Sequence, residues 1–155
     1  MQRFDWKTLV LVATLGSAAL LGGAFIFQAF GIPPCKMCYW QRYPHALAIA
    51  VGVLALALKR KWLAWIGALS ALTTGLIGVF HSGVERGLWE GPSSCTGTAG
   101  AGLSTADLMD QIMNAPLIRC DEIAWQMAGL TMPNLNAIFS IGLAVIWVVA
   151  ARRPA

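Results

Sequence analysis

Four stretches without a charged residue, 8–30, 43–58, 62–84 and 132–151, limit what this chain can fold into. A helix rises about 1.5 Å per residue, so the first and third runs reach about 35 Å and cross a hydrocarbon layer of about 30 Å. The run 43–58 is short alone and attains spanning length if its helix begins near Cys38. Of the 155 residues 57% are apolar and 12% charged, where soluble domains carry about 25% charged. The expected fold is all-α: one four-helix transmembrane bundle over 1–155, with spans of about 8–30, 39–58, 62–84 and 132–151. The connecting outer loops are about 31–38 and 85–131. The first apolar run exceeds the core of a signal peptide and no small-x-small site follows it, so it reads as a retained span.

Basic residues orient the bundle. Arg3, Lys7, Lys59, Arg60, Lys61, Arg152 and Arg153 fall on one side with a single acid, Asp5. Lys36, Arg42, Arg86 and Arg119 fall on the other with the remaining acids. The positive-inside rule makes both termini and the turn at 59–61 cytoplasmic. The net charge of +4 therefore records topology, and no nucleic-acid partner is expected. Trp6, Trp62, Trp65 and Trp147 are expected near the inner boundary, and Trp40, Trp89 and Trp125 near the outer one.

All four cysteines, Cys35, Cys38, Cys95 and Cys120, then lie on the outer side, where thiols can persist as disulfides. Cys35-Lys36-Met37-Cys38 spaces two thiols so that they can close a small disulfide, and follows the helix-starting pair Pro33-Pro34. A cysteine in the first turn of a helix sits in a positive local field that favours thiolate. The spacing alone also suits half a zinc site or a structural disulfide. Cys38, Gln41, Arg42 and His45 recur at i, i+3, i+4 and i+7, one helical stripe. Pro44 either kinks this helix or begins it. Small residues around 16–19 and 22–23 of the first span permit close helix contact.

The hairpin of spans two and three brings His81 near the depth of Arg42 and His45, although a histidine there can simply anchor a helix end. Residues 91–105, rich in Gly, Ser, Thr and Ala, make Cys95 a mobile thiol. A short helix from Ser104 or Thr105 to Asn114 is expected to lie in the membrane interface or to pack on the loop. Cys95 and Cys120 look like a second redox pair reachable by a soluble protein. Two dithiol pairs on one membrane face suit an electron relay.

With Pro-Cys-x-x-Cys ending at Cys38, Gln41-Arg42, His81, Cys95, Cys120-Asp121 and the tail Trp125, Gly129-Leu130 and Met132-Pro133, the chain resembles the disulfide bond formation protein B (DsbB) family of thiol:quinone oxidoreductases. The vitamin K epoxide reductase family shares four helices, but its loop cysteines precede the Cys-x-x-Cys; here the motif comes first. The resemblance covers essentially the whole chain. It implies an enzyme of the bacterial inner membrane that reoxidises a periplasmic thioredoxin-fold dithiol oxidase of the DsbA type. It further implies a Cys95–Cys120 disulfide that accepts electrons, a Cys35–Cys38 pair that receives them, and a membrane quinone as final acceptor, ubiquinone in preference to menaquinone. Cys38, Arg42 and His81 are the implied quinone-binding residues, and no metal ligand set is implied. Beyond the family, His45 is a candidate for positioning the quinone or passing protons.

Two readings compete. His45 and His81 near the outer ends of adjacent spans suit a b-type haem subunit with structural disulfides. Four thiolates also suit a zinc-stabilised membrane scaffold, although Cys95 and Cys120 are not compactly spaced.

Overall fold

Asp5 opens the first helix by accepting a hydrogen bond from the Thr8 backbone N–H at 2.8 Å, a side-chain cap for an otherwise unpaired donor. The computed structural model describes residues 5–96, 104, 106, 109–110, 113 and 118–154. Helix α1 (Trp6–Ala29) is followed by α2 (Lys36–Ala57), α3 (Leu63–Glu85), a two-stranded ribbon of β1 (Gln126–Met127) and β2 (Leu130–Thr131), and α4 (Met132–Arg152). The ribbon is antiparallel, pairing Gln126 with Thr131 and Met127 with Leu130. Its turn holds Ala128 and Gly129 at positive φ, 51° and 79°, the conformation that tight hairpins require.

The bundle is inside-out relative to a soluble protein. Small residues, Ala13, Ala64, Ala68, Ala71 and Ala144, line the helix contacts, while Leu11, Leu15, Leu69, Leu76 and Val145 face outward. That pattern suits helices whose surroundings are as apolar as their side chains and whose association depends on close packing. Helices α1, α3 and α4 are each long and apolar enough to cross a membrane. Helix α2 has 22 residues but carries the polar stripe.

Several details differ from the sequence expectation. Trp147 is fully buried: a Cβ on Gly67 would lie 2.7 Å from its indole, so the missing side chain makes room for the ring, and Trp147 packs into the helix core. Trp6 is buried in the same cluster. Gly16 closes against Leu143, while Gly22 and Gly23 have open space. Helix α2 begins at Lys36, earlier than the expected 39, and runs unbroken through Pro44. The helix expected from Ser104 or Thr105 to Asn114 falls largely outside the described residues.

Candidate active site

The start of α2 is built by Cys35. It occupies the N-cap with an extended backbone, and its Sγ accepts the Cys38 backbone N–H at 3.2 Å. The motif thereby caps its own helix, and both sulfurs sit at the positive end of the helix dipole. The Sγ atoms of Cys35 and Cys38 are 2.8 Å apart, so a small side-chain movement joins them.

Cys95 and Cys120 form a disulfide across 25 residues, with their Cα atoms 5.4 Å apart. The Cys120 N–H donates to the Cys95 carbonyl at 2.7 Å and the Cys95 N–H to the Pro92 carbonyl at 2.9 Å. Both cysteines are buried and form one cluster with Cys35, Met37 and Val84, against which Cys38 packs. The mobile Cys95 expected from its neighbours' composition is instead 1% exposed, because the sulfur cluster and the Pro92 turn hold it. A surface cleft is nonetheless lined by Cys35, Tyr39, Cys95 and Ile118. Beside Cys120, Arg119 pairs with Asp121 at 2.6 Å, and this hydrogen bond holds the Asp121 carboxyl below the ordinary aspartate range.

The polar stripe of α2 faces a cavity of about 270 Å³ shared by all four long helices, and Cys38, Gln41, Arg42, His45 and His81 all line it. Arg42 reaches back to α1, donating from Nη1 to Gln28 Oε1 at 2.7 Å and from Nη2 to the Ala24 carbonyl at 3.2 Å. Its guanidinium also lies over the rings of Phe25 and Tyr39, while its Nε is buried without a partner. His45 Nε2 is 2.8 Å from Asn136 Oδ1, and its Nδ1 has no partner. His81 approaches Cys35 Sγ to 3.5 Å with Nε2 and Gln41 Nε2 to 2.9 Å with Nδ1. The Cys120 backbone lies beside the same imidazole.

Two of the residues here, Asn136 and Glu85, carry no chemical signature in sequence. Asn136 on α4 bridges His45 to Gln41 and Thr74. Gln41, legible as one position of a stripe and as part of the Gln41-Arg42 pair that carries the resemblance, touches His81. Glu85, whose side chain is 5% exposed, lies 4.0 Å from His81 Nε2. The ligand atoms of Cys35, Cys38 and His81 lie within 4.8 Å of one another, close enough to hold a metal ion. Gln41 donates to the Met37 carbonyl with the same amide nitrogen that meets His81 Nδ1, so Nδ1 accepts and Nε2 keeps its hydrogen. In this arrangement His81 Nε2 is a donor toward sulfur.

The cavity's apolar lining includes Ala19, Leu20, Phe27, Ile32, Leu135 and Phe139. Among the described residues its lining holds an unpaired buried donor, Arg42 Nε, an unpaired imidazole nitrogen, His45 Nδ1, and an unpaired carboxylate oxygen, Glu85 Oε2. Apolar walls with few convergent polar groups describe a site for a mostly apolar molecule that carries a few polar atoms.

The family model for the disulfide bond formation protein DsbB matches residues 6–150. A disulfide bond formation protein B from Xanthomonas oryzae is 31% identical over 96% of this chain and 91% of its own length. One from Polaromonas is 29% identical over 96% and 92%, and an uncharacterised protein of Rickettsia prowazekii is 26% identical over 90% and 84%. No solved structure matches. The family match spans all four long helices and the paired cysteines between them, and the chain belongs to the DsbB family of disulfide bond formation proteins, multi-pass membrane thiol oxidoreductases.

Proposed function

We propose that this protein spans the bacterial inner membrane four times, with both termini cytoplasmic and its cysteines periplasmic, and that it reoxidises a thioredoxin-fold dithiol oxidase of the DsbA type at the expense of a membrane quinone. The observation that carries this reading is the packing of Cys35, Cys95 and Cys120 in one buried cluster with Cys38 against it. A disulfide and a cysteine pair packed on each other can exchange by in-line thiolate attack without a carrier between them, once one of them holds a thiolate.

The partner's thiolate attacks Cys95, the Cys95–Cys120 bond breaks, and the electron pair leaves on Cys120. Cys120 attacks Cys35, the Cys35–Cys38 bond breaks, and the pair leaves on Cys38, in the cavity that Arg42 also lines. The partner's second thiolate then frees Cys95 and completes the partner's own disulfide. Cys95 attacks Cys120, restoring the Cys95–Cys120 bond and freeing Cys35. A bound quinone supplies an acceptor for two electrons and two protons, which lets the Cys35–Cys38 disulfide re-form. Cys38, Arg42 and His81 surround its site, and Arg42 Nε offers an N–H for an oxygen that gains negative charge, a fixed donor of the kind worth most where water is excluded. Ubiquinone is the first choice of acceptor and menaquinone the second. For this two-electron exchange about 30 mV is a factor of ten, so oxidising a strong dithiol oxidant requires continuous removal of the reduced acceptor.

Stopped-flow mixing of a reduced thioredoxin-fold oxidase with this protein and quinone, followed by quinone absorbance, tests the reading. Multiple turnovers are expected, abolished by Cys95→Ser at the start of the path and by Cys38→Ser at its end. Unchanged turnover in Cys38→Ser would remove the proposed path. The rival haem reading is tested on the same sample by its visible spectrum, where a Soret band would favour it.

A further inference from the structure

Buried amides link His45 to Cys35 through a chain of hydrogen bonds whose direction is fixed at two points. A backbone carbonyl only accepts, so the Gln41 amide nitrogen must face Met37 O, 3.2 Å away. The same nitrogen lies 2.9 Å from His81 Nδ1, which makes Nδ1 the acceptor and leaves the hydrogen of the neutral ring on Nε2. Asn136 is fixed likewise, because its nitrogen faces the Thr74 carbonyl at 3.2 Å. That nitrogen donates to Gln41 Oε1 at 2.7 Å, and Asn136 Oδ1 accepts from His45 Nε2 at 2.8 Å and from Ser140 Oγ at 3.1 Å. The donors in the series therefore run from His45 toward His81, whose Nε2–H lies 3.5 Å from Cys35 Sγ, with the Cys120 backbone as a second neighbour of the same imidazole. The Glu85 carboxylate, at 4.0 Å, is beyond hydrogen-bond range of that nitrogen.

We propose that Gln41 and Asn136 are positioning residues that lock His81 as the Nε2–H tautomer, and that His81 donates this hydrogen to the Cys35 sulfur as it leaves as a thiolate. The proposal deepens the exchange reading above and rests on it. Cys35 leaves when Cys95 attacks Cys120: the Cys95–Cys120 bond forms, the Cys35–Cys120 bond breaks and the electron pair stays on Cys35. A hydrogen bond already aimed at that sulfur stabilises the charge without rearrangement. Sγ also receives the Cys38 N–H, so two donors converge on it. The titratable and charged groups lining the cavities that Cys35 borders are Cys38, Arg42, His45, His81, Glu85, Arg119 and Glu122 on one side, and Lys36, Tyr39 and the disulfide-bonded Cys95 on the other.

Two measurements test this without quinone. In the oxidised, full-length protein labelled with 15N-histidine, the His81 signals are expected to be those of a ring protonated at Nε2. Observation of the Nδ1–H tautomer would overturn the proposal even if no variant folded. In a protein whose other three cysteines are serine, alkylation of Cys35 by iodoacetamide reports its thiolate across pH. His81→Phe is expected to raise the pH midpoint and slow the neutral-pH rate about tenfold, the size of a hydrogen bond to a charged group. His81→Gln, which keeps an N–H, should recover part of it. Asn136→Leu, which touches neither His81 nor Cys35, should shift the midpoint in the same direction. An unchanged midpoint in folded His81→Phe, or in folded Asn136→Leu, would contradict the proposed role. Because neither readout involves quinone or a partner protein, failure here is distinguishable from failure of the proposed electron path.

Discussion

Arg42 on α2 is tied to Gln28 on α1 by a 2.7 Å hydrogen bond from Nη1 to Oε1. With Nη2 held by the Ala24 carbonyl, the terminal amines are spent on scaffold and Nε is left unpaired beside the cavity. Arg42→Ala should therefore lower kcat/KM for quinone about a hundredfold, the usual size for losing a charge-stabilising donor. Arg42→Lys should restore little, because one ammonium cannot grip α1 and still offer a fixed N–H. Steady-state kinetics with varied quinone check both variants; full activity in Arg42→Lys would show that charge alone is enough.

His45 lines the same cavity with its Nδ1 unpartnered. His45→Ala is expected to slow quinone turnover about tenfold while thiol exchange between the two cysteine pairs continues at its normal rate. Single-turnover experiments with and without quinone separate the two steps. Normal quinone turnover in His45→Ala ends the idea that this residue serves the acceptor.

Packing makes a prediction of its own. Because the missing side chain of Gly67 admits the Trp147 indole, Gly67→Val should destabilise the α3–α4 contact by about 1–3 kcal/mol. Gly22→Ala, with open space around it, should be neutral or stabilising. Thermal unfolding in one detergent compares them, and equal Tm values would contradict the close approach.

The Arg119–Asp121 pair holds the strand of chain that delivers Cys120. Since the Asp121 carboxyl is held below its ordinary value of 3.8, the pair's contribution is fully present above that pH and is lost as pH falls through the lower, folded value. Asp121→Asn should therefore speed reduction of the Cys95–Cys120 disulfide by a water-soluble phosphine, which needs no thiolate, at neutral pH and remove the acid-induced increase below pH 3.8. Reduction rates measured in both proteins across acid pH give the answer; parallel profiles would rule out a role for the pair.

Most of the architecture was legible because uncharged runs of spanning length leave few alternatives. The stripe Cys38, Gln41, Arg42 and His45 was readable from helical spacing, and it does line one cavity. The reading failed where three-dimensional packing overrode composition. Flexible neighbours made Cys95 look mobile, yet burial among sulfurs holds it, and the space at Gly67 that takes the Trp147 indole has no sequence signature. Asn136 and Glu85 were invisible because an isolated amide or acid has no spacing signature. Their roles exist only through α3 and α4 meeting α2, and His81 meets Cys35 across 46 residues of sequence.

The central claim is that electrons pass directly between the two cysteine pairs. Quinone-free protein mixed with less than one equivalent of reduced thioredoxin-fold oxidase, then acid-quenched, alkylated and analysed by mass spectrometry, tests it most directly. Alkylated Cys35 and Cys38 should accumulate as Cys95 and Cys120 return to the disulfide. Label confined to Cys95 and Cys120 while Cys35–Cys38 stays oxidised would contradict the account.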